Sequence, residues 1–530
     1  MDSDNRFREW LKRDFSGAYM AVGERLLQAE QRPQTLTVDT VTALSELLGD
    51  PLRFASAHQR YFLLKQTALT LATVVTAKAA GAQVASLALQ GLRQALMTGE
   101  GPSLRAAAEA LGHLPVDVPC PRLPDPLFRP DTRPSRRDCQ VLLELAGIRH
   151  TAGPYFMGRT LILPSRYSDT LVAVKLARSA EDAPLLAREA YWLRQLADRP
   201  DLTPADAHVP TVLAVNDGAL FRLETLPIAP NGNGPIHPGL LAISFKTRSG
   251  YFSYPNDPRP DHRPTPEAVL AIMARNALQM GLLTGNGILH TAPVPLFHNR
   301  IQRHRRDDRG RYQWYRAGRL DRWLTSCAYP NMGVSGLRDF EHLAPYRGSS
   351  LDLFREIGAH FLSFLLVAGA YFRSADPQRM GRDRGGRPVD ARGLFDRPLL
   401  ERLVETIFSN YYRGFTGQTA SPSLRPDVRR LCDRMVSEMG RDRYMVEILR
   451  AVDQKEMDRE SFTKFLREGG MPEAHIARLQ QGVADIELVS GPHLGRFNSR
   501  ISLPELTDTV GVMAALCMDG RYASERSAPQ

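Results

Sequence analysis

A chain of 530 residues with a formal net charge of +10 is too long for one ordinary core and long enough for two or three domains. Its composition, 43% hydrophobic and 24% charged, excludes general disorder and fibrous repeats. Five scattered cysteines form no C-x-x-C pair, which excludes a disulfide framework and a structural zinc site and fits a reducing cytoplasm. The charged N-terminal segment carries no export signal. The apolar stretches at 68–92 and 361–372 fall short of the about 20 uninterrupted apolar residues a bilayer span needs, so no membrane is expected. The positive charge is spread as single arginines, apart from one dense run at 300–311. No nucleic-acid reader motif accompanies that run, so it reads as a solvated loop and nucleic acid is not an expected partner.

Residues 1–114 read as a helical N-terminal domain, because apolar positions at 58–75 and 104–114 recur at helical spacing. A proline-rich linker, 115–134, follows, since proline removes a backbone donor and restricts the residue before it. Between 135 and 230 the texture changes to β-branched runs at 159–164, 170–177, 209–216 and 219–226. One helix lies among them, at 184–198, with Leu186, Ala190, Leu193 and Leu196 along an apolar stripe. The turn 216–218 predicts that the last two strands form a hairpin. Residues 231–450 read as mostly helical, with strong helices at 266–285, 350–372, 398–415 and 426–439, and 451–530 as a helical extension. The fold class expected is α+β.

Chemistry concentrates where 172-VAVK-175 ends a strand and Glu189 follows fourteen residues on, inside the next helix. Further along stand His290, His298 and Asn299, then Arg338, Asp339 and Phe340. This order resembles the protein-kinase-like superfamily over about residues 138–345. The resemblance implies a two-lobed domain that binds ATP with magnesium (Mg2+). In that family a strand lysine contacts the α and β phosphates and is held by a helix glutamate, here Lys175 and Glu189. Carried over in the same way, Gly153, Gly158 and Arg159 belong to the phosphate-covering hairpin, although the glycines are not spaced G-x-G-x-x-G. Backbone groups near Glu224 to Leu226 would receive adenine, and Asn299 and Asp339 would hold the metal. His290 stands at the catalytic-loop histidine. The family's catalytic aspartate, however, is Ala292, and Asn299 lies nine residues after His290 where the family has seven. The proton acceptor therefore stays open between His298, another group, different chemistry, and a pseudokinase.

A second resemblance is to siderophore synthetases of the aerobactin-synthetase type. It is carried by 158-GRT-160, Lys175, the His290 to Asn299 segment and 338-RDF-340 in that order, without the family's N-terminal G-H-P-x-H-P run. It implies adenylation of a carboxylate followed by capture by an amine. The function expected is an ATP-dependent transferase, phosphoryl or adenylyl, acting on an unidentified protein or small-molecule acceptor. The alternatives are an adenylating ligase of the siderophore kind and an inactive pseudokinase scaffold. On either enzyme reading, Lys175→Ala and Asp339→Ala are expected to weaken ATP or metal binding and leave stability nearly untouched.

Overall fold

The computed structural model describes residues 7–49, 57–121, 135–228, 239–255, 264–294, 330–374, 397–420, 486–489, 498–501 and 504–527, apart from short interruptions at 10, 12–14, 100–101, 117, 178–181, 216–217 and 240, together with 464, 467 and 473. The expected helix at 426–439 and the basic run at 300–311 lie outside the described residues.

The N-terminal third forms helices α1 (Phe15–Gln31), α2 (Val38–Gly49), α3 (Ala57–Thr76), α4 (Ala82–Thr98) and α5 (Pro102–Gly112). Each turns an apolar stripe inward. In α4 the stripe is Val84, Ala88, Leu92, Ala95 and Leu96, spaced three and four residues apart. Helix α3 packs on α1 and α5, and α2 packs on α4. This bundle does not close its core alone. One cluster of buried side chains runs from Phe7 through the bundle to Met518, near the other end of the chain. Helix α5 meets both α9 (Ser350–Ser374) and α11 (Pro504–Ser527). Arg93 of α4 pairs with the buried Asp519 of α11 at 2.9 Å. The helical unit expected at 1–114 therefore shares its core with the C-terminal helices.

The β-rich part is a mixed seven-stranded sheet ordered β1 (Ser135–Arg137), β6 (Phe221–Leu223), β7 (Leu241–Arg248), β4 (Thr170–Leu176), β3 (Thr160–Pro164) and β2 (Tyr155–Met157), with β5 (Thr211–Val212) also on β7. Strands β2, β3, β4 and β7 are antiparallel in turn, and β1 lies parallel to β6. Of the expected hairpin between the 209–216 and 219–226 runs, only the antiparallel bridge between Val215 and Gly218 is present among the described residues, and β5 and β6 do not pair with each other. Both β5 and β6 pair with β7 instead, β5 at Phe245–Lys246 and β6 at Leu241–Ala242. Strand β7 comes after residue 230, so the sheet extends past the expected end of its lobe.

Period-two alternation divides β4 between two layers. Val172, Val174 and Leu176 face helix α6 (Cys139–Leu145) in a satellite core with Leu142 and Phe221. Leu171 and Ala173 face the main core, with Leu186, Ala190 and Leu193 of α7 (Ala183–Ala197). Below the sheet come α8 (Pro266–Gly285), the short pair β8 (Ile288–His290) and β11 (Leu343–Pro345), the hairpin β9 (Met332–Gly333) and β10 (Gly336–Leu337), and helices α9 and α10 (Arg397–Thr416). Among the described residues only α8 is long and apolar enough to cross a membrane, and most of it lies buried inside the protein.

Candidate functional site

The alternation that sends Leu171 and Ala173 toward α7 sends Lys175 the same way. Glu189 lies three residues after Leu186 and four before Leu193, so helical geometry places it on the buried stripe of α7. Lys175 Nζ donates to Glu189 Oε2 at 2.8 Å, with both side chains almost fully buried. A carboxylate on an apolar face is costly to bury alone, and this ammonium compensates it.

The second half of the site arrives through the β9–β10 hairpin. Two polar side chains buried in α8 fix that hairpin: Asn276 Nδ2 donates to the Gly333 carbonyl at 2.9 Å, and Gln279 Oε1 accepts from the Leu337 amide at 3.0 Å. Directly after β10 come Arg338 and Asp339. Asp339 adopts a left-handed backbone (φ 50°, ψ 59°) and is the one non-glycine residue with positive φ among the described residues. A backbone outlier beside a charged cluster is the kind of local strain that marks functional sites. The turn aims Asp339 Oδ1 at Lys175 Nζ, 3.0 Å away, and leaves the Asp339 side chain 29% exposed. The following 3-10 turn, Phe340–His342, brings Glu341 Oε2 to 3.1 Å from the same nitrogen.

Arg159 closes the cluster from above. It sits in the β2–β3 turn beside Gly158, whose φ of +58° suits glycine. Its guanidinium reaches Glu341 at 2.6 Å and Asp182, at the N-terminal end of α7, at 3.2 Å. These groups border a cavity of about 470 Å³, within the range of small-molecule sites. Its lining combines two kinds of group: the ionic Arg159, Lys175, Asp182, Asp339 and Glu341, and the aromatic Phe245 of β7 with Tyr251, Phe252 and Tyr254 just after it. Arg338 is buried, its guanidinium carbon 4.7–5.3 Å from the centres of the Tyr251, Phe252 and Tyr254 rings. These cation–π contacts offset part of the cost of burying it.

The charges depend on one another. Burial opposes the Lys175 charge, but Asp339, Glu189 and Glu341 outweigh it and hold the ammonium protonated far above its ordinary range. Burial pushes the Glu189 carboxyl up to about 7, with Lys175 opposing. Burial also works against the charges of Asp339 and Glu341, but Lys175, helped by Arg338 for the first and Arg159 for the second, holds both carboxyls below their usual range. A carboxylate with a depressed folded pKa contributes stability that is present above the unfolded value and lost as pH falls. Acid unfolding should therefore steepen as pH drops below about 4, and Asp339→Asn should flatten that limb. Equilibrium denaturation across pH measures it; identical acid limbs in the two proteins would refute the coupling.

Lys175, Glu189, Asp339, Gly158 and Arg159 thus meet in one place. Other expected residues lie elsewhere. Gly153 does not line the cavity. Neither do Glu224 and Leu226: the Glu224 amide is used by the Arg137 carbonyl at 3.3 Å, and Leu226 packs on the satellite core. The chain segment bordering the cavity after the sheet is 251–254, because β7 and not β6 neighbours the lysine strand. His290 is fully buried; its Nε2 is 2.8 Å from the Arg338 carbonyl, so it braces the peptide leading into Asp339. His298 and Asn299 lie outside the described residues. Ala292, at the position of the family aspartate, is fully buried, and its carbonyl accepts from Asn331 Nδ2 at 2.8 Å.

The chain matches no protein-family model and no curated protein. Its site must therefore be read from its own residues. Sequence reasoning missed Asp182, Glu341, Asn331 and the aromatic part of the lining. A usable signal existed for Glu341, an acid two residues from Asp339 and standing where the kinase pattern has glycine. The run 251-YFSY-254 offered no comparable signal, since aromatics after a strand more often pack a core.

Proposed function

We propose that the protein is a cytoplasmic, ATP-dependent transferase of the kinase-like, two-lobed kind, moving a phosphoryl or adenylyl group. The observation that carries this reading is the buried 2.8 Å contact between Lys175 and Glu189 beside a cavity lined by both ionic and aromatic groups. Such a combination suits a nucleotide, whose base stacks on aromatic rings and whose phosphates need fixed cations.

In this reading Glu189 holds the Lys175 ammonium in place, Lys175 and Arg159 bind phosphate oxygens, and Tyr251, Phe252 and Tyr254 exclude water from the base. Asp339 has the carboxylate with an accessible edge, and it would hold magnesium. Among the described residues no group of three His, Cys, Asp or Glu is arranged to hold a metal. That fits a small hard cation that takes one or two protein carboxylates and completes its shell with phosphates and water. Magnesium, when bound, supplies positive charge against the charge developing on the phosphates. The chain's own contribution is positioning and electrostatic stabilisation.

The buried Ala292 favours a second reading, a nucleotide-binding scaffold without transfer, because no carboxylate stands at that position to accept a proton. Calorimetric titration with ATP and magnesium, followed by chromatography of the products, separates the readings. Phosphoryl transfer yields ADP; adenylyl transfer yields AMP and pyrophosphate when a carboxylate and an amine are supplied. Saturable binding without turnover supports the scaffold. Absence of saturable ATP binding to the wild-type protein would remove all three.

A further inference from the structure

An ammonium has three donors. Around Lys175, two are taken by hydrogen bonds to Glu189 at 2.8 Å and Asp339 at 3.0 Å, and Glu341 forms an ion pair with the same nitrogen at 3.1 Å. Three carboxylates therefore surround the ammonium, and an incoming phosphate meets their charge before it meets the cation. The site described above grips an anion more readily if one carboxylate withdraws.

The three differ in what holds them. Glu189 is fully buried behind the lysine, on a helix packed into the core. Among the described residues Asp339 has one cation within ion-pair distance, Lys175, and its carboxylate keeps an open edge. Glu341 differs in kind: one of its oxygens, Oε2, bridges two cations, 2.6 Å from the Arg159 guanidinium and 3.1 Å from the Lys175 ammonium. Two cations on one oxygen, at the edge of a ligand-sized cavity, form the arrangement that binds phosphate. Here a carboxylate of the chain occupies it. If Glu341 leaves, Arg159 keeps Asp182 at 3.2 Å and Lys175 keeps its other two partners, so neither cation is stranded.

We propose that Lys175 and Arg159 form a phosphate subsite filled in the free protein by Glu341, and that a polyphosphate binds by displacing this side chain. The inference rests on the nucleotide reading and adds to it an internal competitor. It makes the site self-occluding, so that affinity is set partly by how readily the 340–342 turn gives up its hold on Arg159.

Inorganic tripolyphosphate without metal is the probe, titrated calorimetrically into the full chain and its variants. Glu341→Gln should tighten binding by at least about tenfold, the scale set by releasing a charge-assisted hydrogen bond to Arg159 and an ion pair to Lys175. Asp182→Asn removes the same charge from the same cavity but frees only Arg159, and should tighten binding by less than about threefold. Glu341→Ala should match Glu341→Gln and serves if the latter misfolds. Equal gains in the Asp182 and Glu341 variants would reduce the effect to general repulsion and overturn the proposal. So would a gain confined to Asp339→Asn, or unchanged or weaker binding by both Glu341 variants. If neither wild type nor any variant binds tripolyphosphate, the nucleotide reading falls and the subsite with it. A structure of the wild-type complex gives a second readout: Glu341 parted from Arg159 supports displacement, and Glu341 still bonded beside the bound anion refutes it.

Discussion

Lys175→Ala should abolish the nucleotide binding proposed for the site and also cost about 3–5 kcal/mol of folding free energy at neutral pH, as expected when one member of a buried ionic cluster is removed. The second effect departs from the expectation drawn from sequence, which treats Lys175 as a ligand-binding group whose loss leaves stability alone. In the fold it is the common partner of Glu189, Asp339 and Glu341. Without it, three carboxylates share a buried space, with Arg159 reaching only Glu341. They respond by taking up protons, so their folded pKa values rise above the unfolded ones. A raised carboxyl contributes stability that is fully present below the unfolded pKa and lost as pH climbs through the folded value. The defect should therefore be largest at neutral and alkaline pH and narrow as pH is lowered toward about 5. Urea denaturation of wild type and variant across that range measures it. A defect that is absent, or constant with pH, would show that the cluster does not bear on stability.

Gly281→Ala should destabilise the protein by about 3 kcal/mol, at the upper end for overpacking, although alanine normally favours a helix. Helices α8 and α10 touch backbone to backbone. A Cβ at Gly281 would fall on the Tyr411 carbonyl oxygen and lie 3.0 Å from the Phe415 nitrogen. One turn later, a Cβ at Gly285 would lie 2.6 Å from the Phe415 oxygen. The fit is reciprocal, since a Cβ at Gly414 of α10 would lie 2.5 Å from the Leu278 oxygen. Backbone cannot rotate aside as a flexible side chain can, so the helices must separate. Gly358 of α9 is the control: no atom lies within 4 Å of its Cβ position, and Gly358→Ala should stabilise by about 0.5–1 kcal/mol through helix propensity. Denaturant midpoints of the two variants should move in opposite directions, and a neutral Gly281→Ala would refute the close contact. Separation would also reach the site, because α8 carries the Asn276 and Gln279 side chains that fix the hairpin leading to Asp339.

The parts of this molecule that were legible in sequence are those governed by local periodicity. The β-branched run of 170–177 and the stripe of 184–198 mark the strand and the helix, the kinase resemblance pairs Lys175 with Glu189, and the structure brings the two to 2.8 Å. The 266–285, 350–372 and 398–415 helices were likewise written in their spacing. What was not legible depends on long-range pairing. Strand β7, which binds β4, β5 and β6, lies at 241–248 between loop-forming stretches and alternates only weakly. Without it the expected adenine segment fell at Glu224 to Leu226, after β6, whereas the segment that borders the cavity follows the next strand, β7. The pairing of Asn331 with Ala292 spans 39 positions, and no local signal ties an asparagine to a carbonyl that far upstream. Glu341 was visible as a departure from the kinase pattern, but its partner Arg159 is 182 positions away.

The shared core of the first and last helices bears on how the chain acquires its structure during synthesis. Helix α5 leaves the ribosome roughly 400 residues before α11, at about 5–20 residues per second, so its apolar face waits tens of seconds for its partner. Until then Ala108, whose Cβ lies 4.0 Å from the Cβ position of Gly511 in α11, lacks part of its final cover. Completion of this core is thus a late, non-local event, with the slow kinetics and aggregation exposure that contacts of high sequence separation bring. A nascent chain halted before α11 should engage holdase chaperones through its opening helices, even though most of the cavity-bearing sheet is already made.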